Sequence, residues 1–289
     1  MGAAELETTV PSFRRPYAAT ASGRQALAHI LRHLCLRPRD EIWITTTLGD
    51  RDLQVSPCVT ATVARFCRFA YRPGPRTAAV LVIHDYGVPH PDLAVLRGRC
   101  LRHGWPLIED AAHAFASTDD AGLRLGEESD FALFSLPKFF AVEAGGLVMG
   151  LPSPPAGPEE LAVAARLLHA LTQTDIVADL RRRNWLLLEQ RFAQFGFGSA
   201  LPLTPGSVPS LYVLHTTQQF SALRRLRSDG IEAGPDVHCN RLLLPCHQRL
   251  CLADIERIVA AVAAHATPLV ATRQDAMKTQ SRPIWLTAG

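Results

Sequence analysis

Short apolar runs alternate with segments of helical periodicity through the first half of this chain, and that order leaves few folds open. Residues 23–36 (GRQALAHILRHLCL) place apolar side chains at helical spacing, and EIWITTTL (41–48) follows, rich in β-branched and aromatic residues. The pattern predicts a helix at about 57–68, a strand at AAVLVIH (78–84), a helix at about 91–103 and a strand at WPLIED (105–110). DFALFSL (130–136) and AGGLVMG (144–150) complete the set, the latter entered through a glycine pair. Strands separated by helices in this way imply an α/β fold with a mostly parallel sheet covered by helices. Ligands of such sheets lie beyond the carboxyl ends of the strands, so the residues that close each strand are the first candidates for chemistry.

The proline-rich stretch LPSPPAGPEE (151–160) interrupts this order and is the expected domain connector. A large α/β domain is therefore expected over 1–155. Over 156–270, helices at about 158–193 lead to a small C-terminal α+β domain. In it PSLYVLHT (209–216) reads as a strand, FSALRRLRSDG (220–230) as a helix closed by glycine, and LADIERIVAAVAAH (252–265) as a final helix. Residues 271–289 form a polar tail carrying Trp285.

Composition narrows the function classes. A net charge of +3 over 289 residues, with arginines dispersed rather than clustered, gives no reason to expect nucleic acid. No run of eighteen apolar residues suggests a membrane span, and MGAAELETTVPSFRRPY has no signal-like apolar block, so a cytoplasmic protein acting on a small molecule is expected. Seven cysteines without a CxxC pair read as reduced thiols. His238-Cys239, Cys246-His247 and Cys251 match no zinc spacing, and no metal is expected.

The chain has 30 basic residues, of which only Lys138 and Lys278 are lysine. Where charge alone was needed, arginine was used almost every time, so a lysine inside an apolar segment invites a chemical reading. A guanidinium stays protonated, whereas a buried amine can lose its proton and attack a carbonyl to form a Schiff base. Lys278 lies in the polar run ATRQDAMKTQSR and reads as a solvated residue.

Other residues converge on Lys138 in this reading. Asp110 closes the strand WPLIED, where a carboxylate can keep a ring nitrogen of a cofactor protonated or can merely cap the following turn. His113 is placed to donate to a ring oxygen, or is a loop histidine satisfied by backbone. Ser22, Gly23 and Arg24 open a helix whose first amides suit a phosphate, with a plain N-cap as the alternative for Ser22. Ser135 offers a hydroxyl just before the lysine. Ser135 to Lys138 also spells the SxxK of penicillin-binding serine enzymes, but a strand leads in, a proline intervenes, and SDN and KTG partners are missing.

With SGRQAL (22–27), HDYG (84–87), HGWPLIEDAAHAFAS (103–117), GEESDFALFSLPKFFAVEAGG (126–146) and LLLPCHQRLCLADIERIV (242–259) in this order, the chain resembles the DegT/DnrJ/EryC1/StrS sugar aminotransferases. The resemblance implies a PLP-dependent transferase of fold type I, in which Lys138 forms the internal aldimine with pyridoxal 5'-phosphate. It places Asp110 at the pyridinium nitrogen, His113 beside the ring hydroxyl, and Ser22, Gly23, Arg24 and Ser135 at the cofactor phosphate. It further implies a homodimer that takes an amino group from a donor such as glutamate to a keto sugar or other small carbonyl compound. Elimination or cyclisation of an amino-acid substrate on the same fold, and a degenerate partner subunit, are the alternatives.

Overall fold

The computed structural model describes residues 13–49, 55–152, 157, 162–164, 167, 170–236 and 240–268. Lys278, Trp285, His238, Cys239 and most of the proline-rich connector lie outside them. The chain divides into two compact units. The first runs to Trp185 and regains residues 201–212 and 246–250, while the second holds 186–200, 213–245 and the chain from 251.

The first unit is built on a seven-stranded sheet. Its strands are β1 (Tyr17–Thr20), β2 (Glu41–Thr46), β3 (Arg68–Ala70), β4 (Thr77–Ile83), β5 (Leu107–Asp110), β6 (Phe131–Ser135) and β7 (Gly146–Met149), in the order β1-β7-β6-β5-β4-β2-β3. The β2–β3, β2–β4, β4–β5 and β5–β6 pairs are parallel, and β7 runs antiparallel to both β6 and β1. The expected mostly parallel sheet is therefore present, with β7 as its one reversed strand. The central strands are buried almost throughout, as residues covered on both faces must be.

Helix α1 (Gly23–Leu34) buries Ala26, Leu27, Ile30 and Leu31 along one stripe against Ile42, Ile44, Leu81, Ile108, Leu133 and Val148. Ser22 caps it, its hydroxyl accepting the Gln25 N–H at 3.2 Å. The helix ends at Cys35, in the left-handed region at φ 49°. Helix α2 (Pro57–Val63) is shorter than the periodicity predicts, because the chain turns after Val63 and 68–70 pairs in parallel with Glu41–Trp43 as the edge strand β3. Helix α3 (Leu93–His103) closes on Gly104 at φ 65°. β1 was not expected, since YAAT carries no alternation and is strand only through its register with β7.

Between strands, a buried polar cluster fixes the turns that carry the site. Glu109 is fully buried on β5, and its carboxylate meets His84 Nε2 at 3.2 Å and accepts from Arg97 at 3.2 Å and from the Gly126 N–H at 2.9 Å. Burial alone would push Glu109 up, but His84, Arg97 and that N–H together hold it below the usual carboxylate range. His84 Nδ1 in turn accepts the His90 N–H at 3.0 Å, so the loop beyond β4 is tied to the strand beside it.

Helix α4 (Thr174–Ala193) carries the chain out of the first unit. The second unit has a three-stranded sheet in the order β8 (Leu211–His215), β10 (Arg241–Pro245), β9 (Gly234–Asp236), with β9 and β10 antiparallel and Arg241 against Asp236 at 3.4 Å. α5 (Gln219–Ser228) and α6 (Leu252–His265) pack together through stripes that include Leu223 and Leu226 on one and Ile255, Ile258 and Val262 on the other. The strand, helix and final helix expected in this region are all found. β10 falls on the LLLP run, which the periodicity left unassigned.

Candidate active site

Asp110, His113 and Lys138 meet at the carboxyl end of the parallel strands. Asp110 ends β5, His113 sits in the turn after it, and Lys138 follows β6 in a single 3-10 turn opened by Leu136 and Pro137. Lys138 Nζ lies 2.6 Å from His113 Nε2. Lys138 is exposed by its surface area, yet the protein packed around its amine denies the ammonium much of its hydration. That burial lowers its pKa first, with Asp110 the main opposing charge. A partly desolvated amine of this kind is primed to attack a carbonyl.

Asp110 is buried, and its carboxylate accepts the Ala112 N–H at 2.9 Å. Burial raises its pKa, while the charge of Lys138 works against the rise. Among the described residues no cation lies within ion-pairing distance of it, so a buried carboxylate stands at the strand end without a counter-charge in contact. His113 is held well below its ordinary pKa by burial, then by the charges of Lys138 and Arg181, and is neutral. Its ring meets Tyr86 edge-on at 5.5 Å.

The Ser22–Gly23 and Ser135 segments also converge, through close backbone approach. A Cβ on Gly23 would lie 3.3 Å from Ser135 Cβ, so the start of α1 rests directly on the end of β6. The glycine pair clamps this junction. Gly145 donates to Ala21 O and accepts from Leu136 N–H, each at 3.0 Å, at a φ of 128° that favours glycine. Gly146 faces Ser135 across the antiparallel pair, and a Cβ there would come within 2.6 Å of Ser22 C and 2.7 Å of Gly23 N. Arg24 is exposed, so what it brings to the helix end is its backbone amide. Ser22 does cap α1, which was the plainer of its two expected roles.

Three residues at the site carried no assignment from the sequence. Arg181 on α4 is buried and spends all its donors, on Gln248 Oε1 at 3.1 Å and on the carbonyls of Pro209, Ser210, Lys138 and Phe139 at 2.9 to 3.3 Å. Ser210 places its hydroxyl 2.9 Å from His113 Nδ1. Asp85, just beyond β4, accepts the Leu48 N–H at 3.2 Å and lies close enough to Asp110 for their charges to interact.

Burial pushes Asp85 up to about 6 from 3.8, against the hydrogen bonds that favour its charged form. A carboxyl raised in this way supports the fold below its unfolded pKa and loses that support as pH rises towards its folded value, here between about 4 and 6. Asp85→Asn is therefore expected to stabilise the protein by about 2 kcal/mol at pH 7 and to be near neutral at pH 4. Urea titrations at the two pH values measure the difference, and equal effects at both would contradict it.

Of the cysteine and histidine pairs of the second half, His238-Cys239 lies outside the described residues. Cys246 is buried with its thiol against Pro209 O at 3.8 Å, and Cys251 caps α6 through a capping box with Asp254. Among the described residues no helix is long and apolar enough to cross a membrane.

Known proteins resemble this chain in part of its sequence and in its fold. Residues 74–150, which hold Asp110, His113, Ser135 and Lys138, match the DegT/DnrJ/EryC1/StrS aminotransferase family. The erythromycin biosynthesis sensory transduction protein EryC1 of Saccharopolyspora erythraea is 48% identical over 61 residues, 21% of this chain and 16% of that protein. A dTDP-3-amino-3,4,6-trideoxy-alpha-D-glucose transaminase of Streptomyces venezuelae is 31% identical over 162 residues, 51% of this chain and 41% of that one. The matches thus span less than half the length of either relative. Among solved structures, the aminotransferase TlmJ from Streptoalloteichus hindustanus superposes with a TM-score of 0.70 at 20% identity, over 86% of this chain and 85% of that one. S. venezuelae DesV, solved in complex with a ketimine intermediate, gives a TM-score of 0.69 at 21% identity over 86% and 84%. Residues 74–150 are thus similar in sequence to the DegT/DnrJ/EryC1/StrS aminotransferase family, and over 86% of its length the chain shares the fold of solved aminotransferases.

Proposed function

We propose that this chain is a PLP-dependent aminotransferase that moves an amino group from an amino-acid donor such as glutamate to a keto sugar or another small carbonyl compound. The observation that carries the reading is the Lys138 amine, 2.6 Å from His113 and within charge range of the buried Asp110. The residues present suit the cofactor. Asp110 offers a carboxylate to a protonated pyridine nitrogen, and Ser22, Gly23, Arg24 and Ser135 surround the start of α1, where the helix dipole and first amides favour a phosphate.

Bound there, PLP would supply an electron sink for charge developing at the substrate carbon. Lys138 Nζ would attach the cofactor and, once substrate takes its place, accept and return a proton at that carbon. His113 would hold the ring oxygen through Nε2, and Asp110 would keep the ring nitrogen protonated. A homodimer, a cytoplasmic location, and a division near residue 155 into cofactor-binding and small domains belong to the same proposal.

Purified protein with PLP should show a visible absorbance band that glutamate converts to the amine form of the cofactor, and a keto acid should restore it. Failure to bind PLP, or a bound cofactor unchanged by every amino acid tried, would overturn the proposal.

A further inference from the structure

The hydrogen-bond chain at Lys138 continues past His113. Ser210 Oγ lies 2.9 Å from His113 Nδ1, and Ser210 is buried, although it stands 97 positions away in the sequence. Its backbone is fixed at both ends, with its N–H donating to Tyr86 O at 2.8 Å and its carbonyl accepting from Arg181 at 3.2 Å. The segment before it is pressed against the HDYG turn. A Cβ on Gly87, at φ 98°, would lie 2.0 Å from Val208 O, and Ser117 Oγ bridges the two by donating to Gly87 O and accepting the Val208 N–H. The backbone of Ser210 is thus fixed beside His113, and its hydroxyl hydrogen can still rotate about the Cβ–Oγ bond.

We propose that Ser210 is the positioning residue that holds the His113 ring in either tautomer and lets the tautomer reverse. Opposite the Lys138 ammonium, which can only donate, Nε2 must accept, so Nδ1 carries the proton and donates to Ser210 Oγ. Opposite an acceptor oxygen, such as the ring oxygen of PLP, Nε2 must carry the proton and donate. Nδ1 then accepts from the Ser210 hydroxyl. A hydroxyl serves both states because it donates and accepts through one atom. His113 stays neutral throughout, because burial and the nearby charges of Lys138 and Arg181 oppose its protonation. The variable is therefore where its single proton sits. This inference rests on the cofactor reading for its second state and on the ligand-free geometry alone for its first.

Nitrogen-15 NMR of histidine-labelled protein tests it. Without cofactor, His113 in the wild type should be the Nδ1–H tautomer. Ser210→Ala, with the Lys138 ammonium still facing Nε2, should keep that tautomer but shift the Nδ1 resonance for want of its hydrogen-bond acceptor, and Ser210→Thr should restore the wild-type spectrum. With PLP the wild type should change to Nε2–H, and Ser210→Ala should bind PLP about tenfold more weakly, the loss of one supporting hydrogen bond, while Ser210→Thr binds normally. A ligand-free Nδ1 resonance unchanged by Ser210→Ala would overturn the inference, as would equal weakening by Ala and Thr. If PLP does not bind the wild type, the aminotransferase proposal fails, and the ligand-free spectra still decide the role of Ser210.

Discussion

Gly146→Ala should destabilise the protein by about 3 kcal/mol and weaken PLP binding by about tenfold or more, although the side chain added is a single methyl. The methyl would sit 2.6 Å from Ser22 C and 2.7 Å from Gly23 N, so the atoms in its way are backbone and cannot swing aside. Relief requires the β1 to α1 connection to lift from β7. Such a movement also draws the first amides of α1 away from Ser135, which couples the stability loss to the proposed phosphate seat. Gly74→Ala is the matched control, since its nearest neighbour would be Glu41 Oε2 at 3.9 Å and its φ is ordinary. Urea unfolding and fluorescence titration with PLP should separate the two variants. Equal behaviour would show that the junction can give way, and the clamp argument would fail.

Arg181→Met should be still more costly, at about 3–5 kcal/mol. Among the described residues Arg181 has no carboxylate partner in contact, and it is satisfied by carbonyls and Gln248, with its guanidinium 5.0 Å from the centre of the Phe139 ring. Methionine fills much of the volume and leaves those acceptors with fewer donors. Because two of them are the carbonyls of Lys138 and Ser210, the loss falls on both ends of the chain that holds His113. Arg181→Lys should recover little, since one ammonium cannot span a fork of five donors. A loss under 1 kcal/mol in either variant would show that water replaces the guanidinium at low cost.

These two residues also mark what the sequence discloses and what it conceals. Strands buried on both faces are legible because their apolar runs need no long-range information, and β2, β4, β5, β6 and β7 were all expected within about two residues. Asp110 and His113 were singled out because one closes and the other follows a strand at the edge where parallel sheets carry their chemistry, and Lys138 because it is one of only two lysines in an arginine-rich chain. The glycine pair was recognised as an entry to β7, but that Gly146 is required by Ser22 and Gly23 depends on a contact more than a hundred residues apart. β1 and β3 were missed because short edge strands carry little pattern of their own.

Arg181 was hidden in a run of three arginines that looks solvated. A signal was present, since Thr174, Val177, Ala178, Arg181, Asn184 and Trp185 form one buried stripe at helical spacing, and Arg181 is the only one of the three arginines on it. Asp85 stands in the HDYG run, but its burial depends on the loop from β2, and no local pattern places Leu48 over it. Ser210 lay inside an expected strand, and nothing short of the fold brings it to His113.

The central claim concerns Lys138, and the scarcity of lysine makes it unusually clean to test. Protein incubated with PLP, reduced with borohydride and cleaved into peptides should carry the cofactor covalently on the peptide containing Lys138 and not on the one containing Lys278, the only other lysine. Lys138→Ala should abolish the label. Label confined to Lys278, or undiminished in Lys138→Ala, would contradict the account.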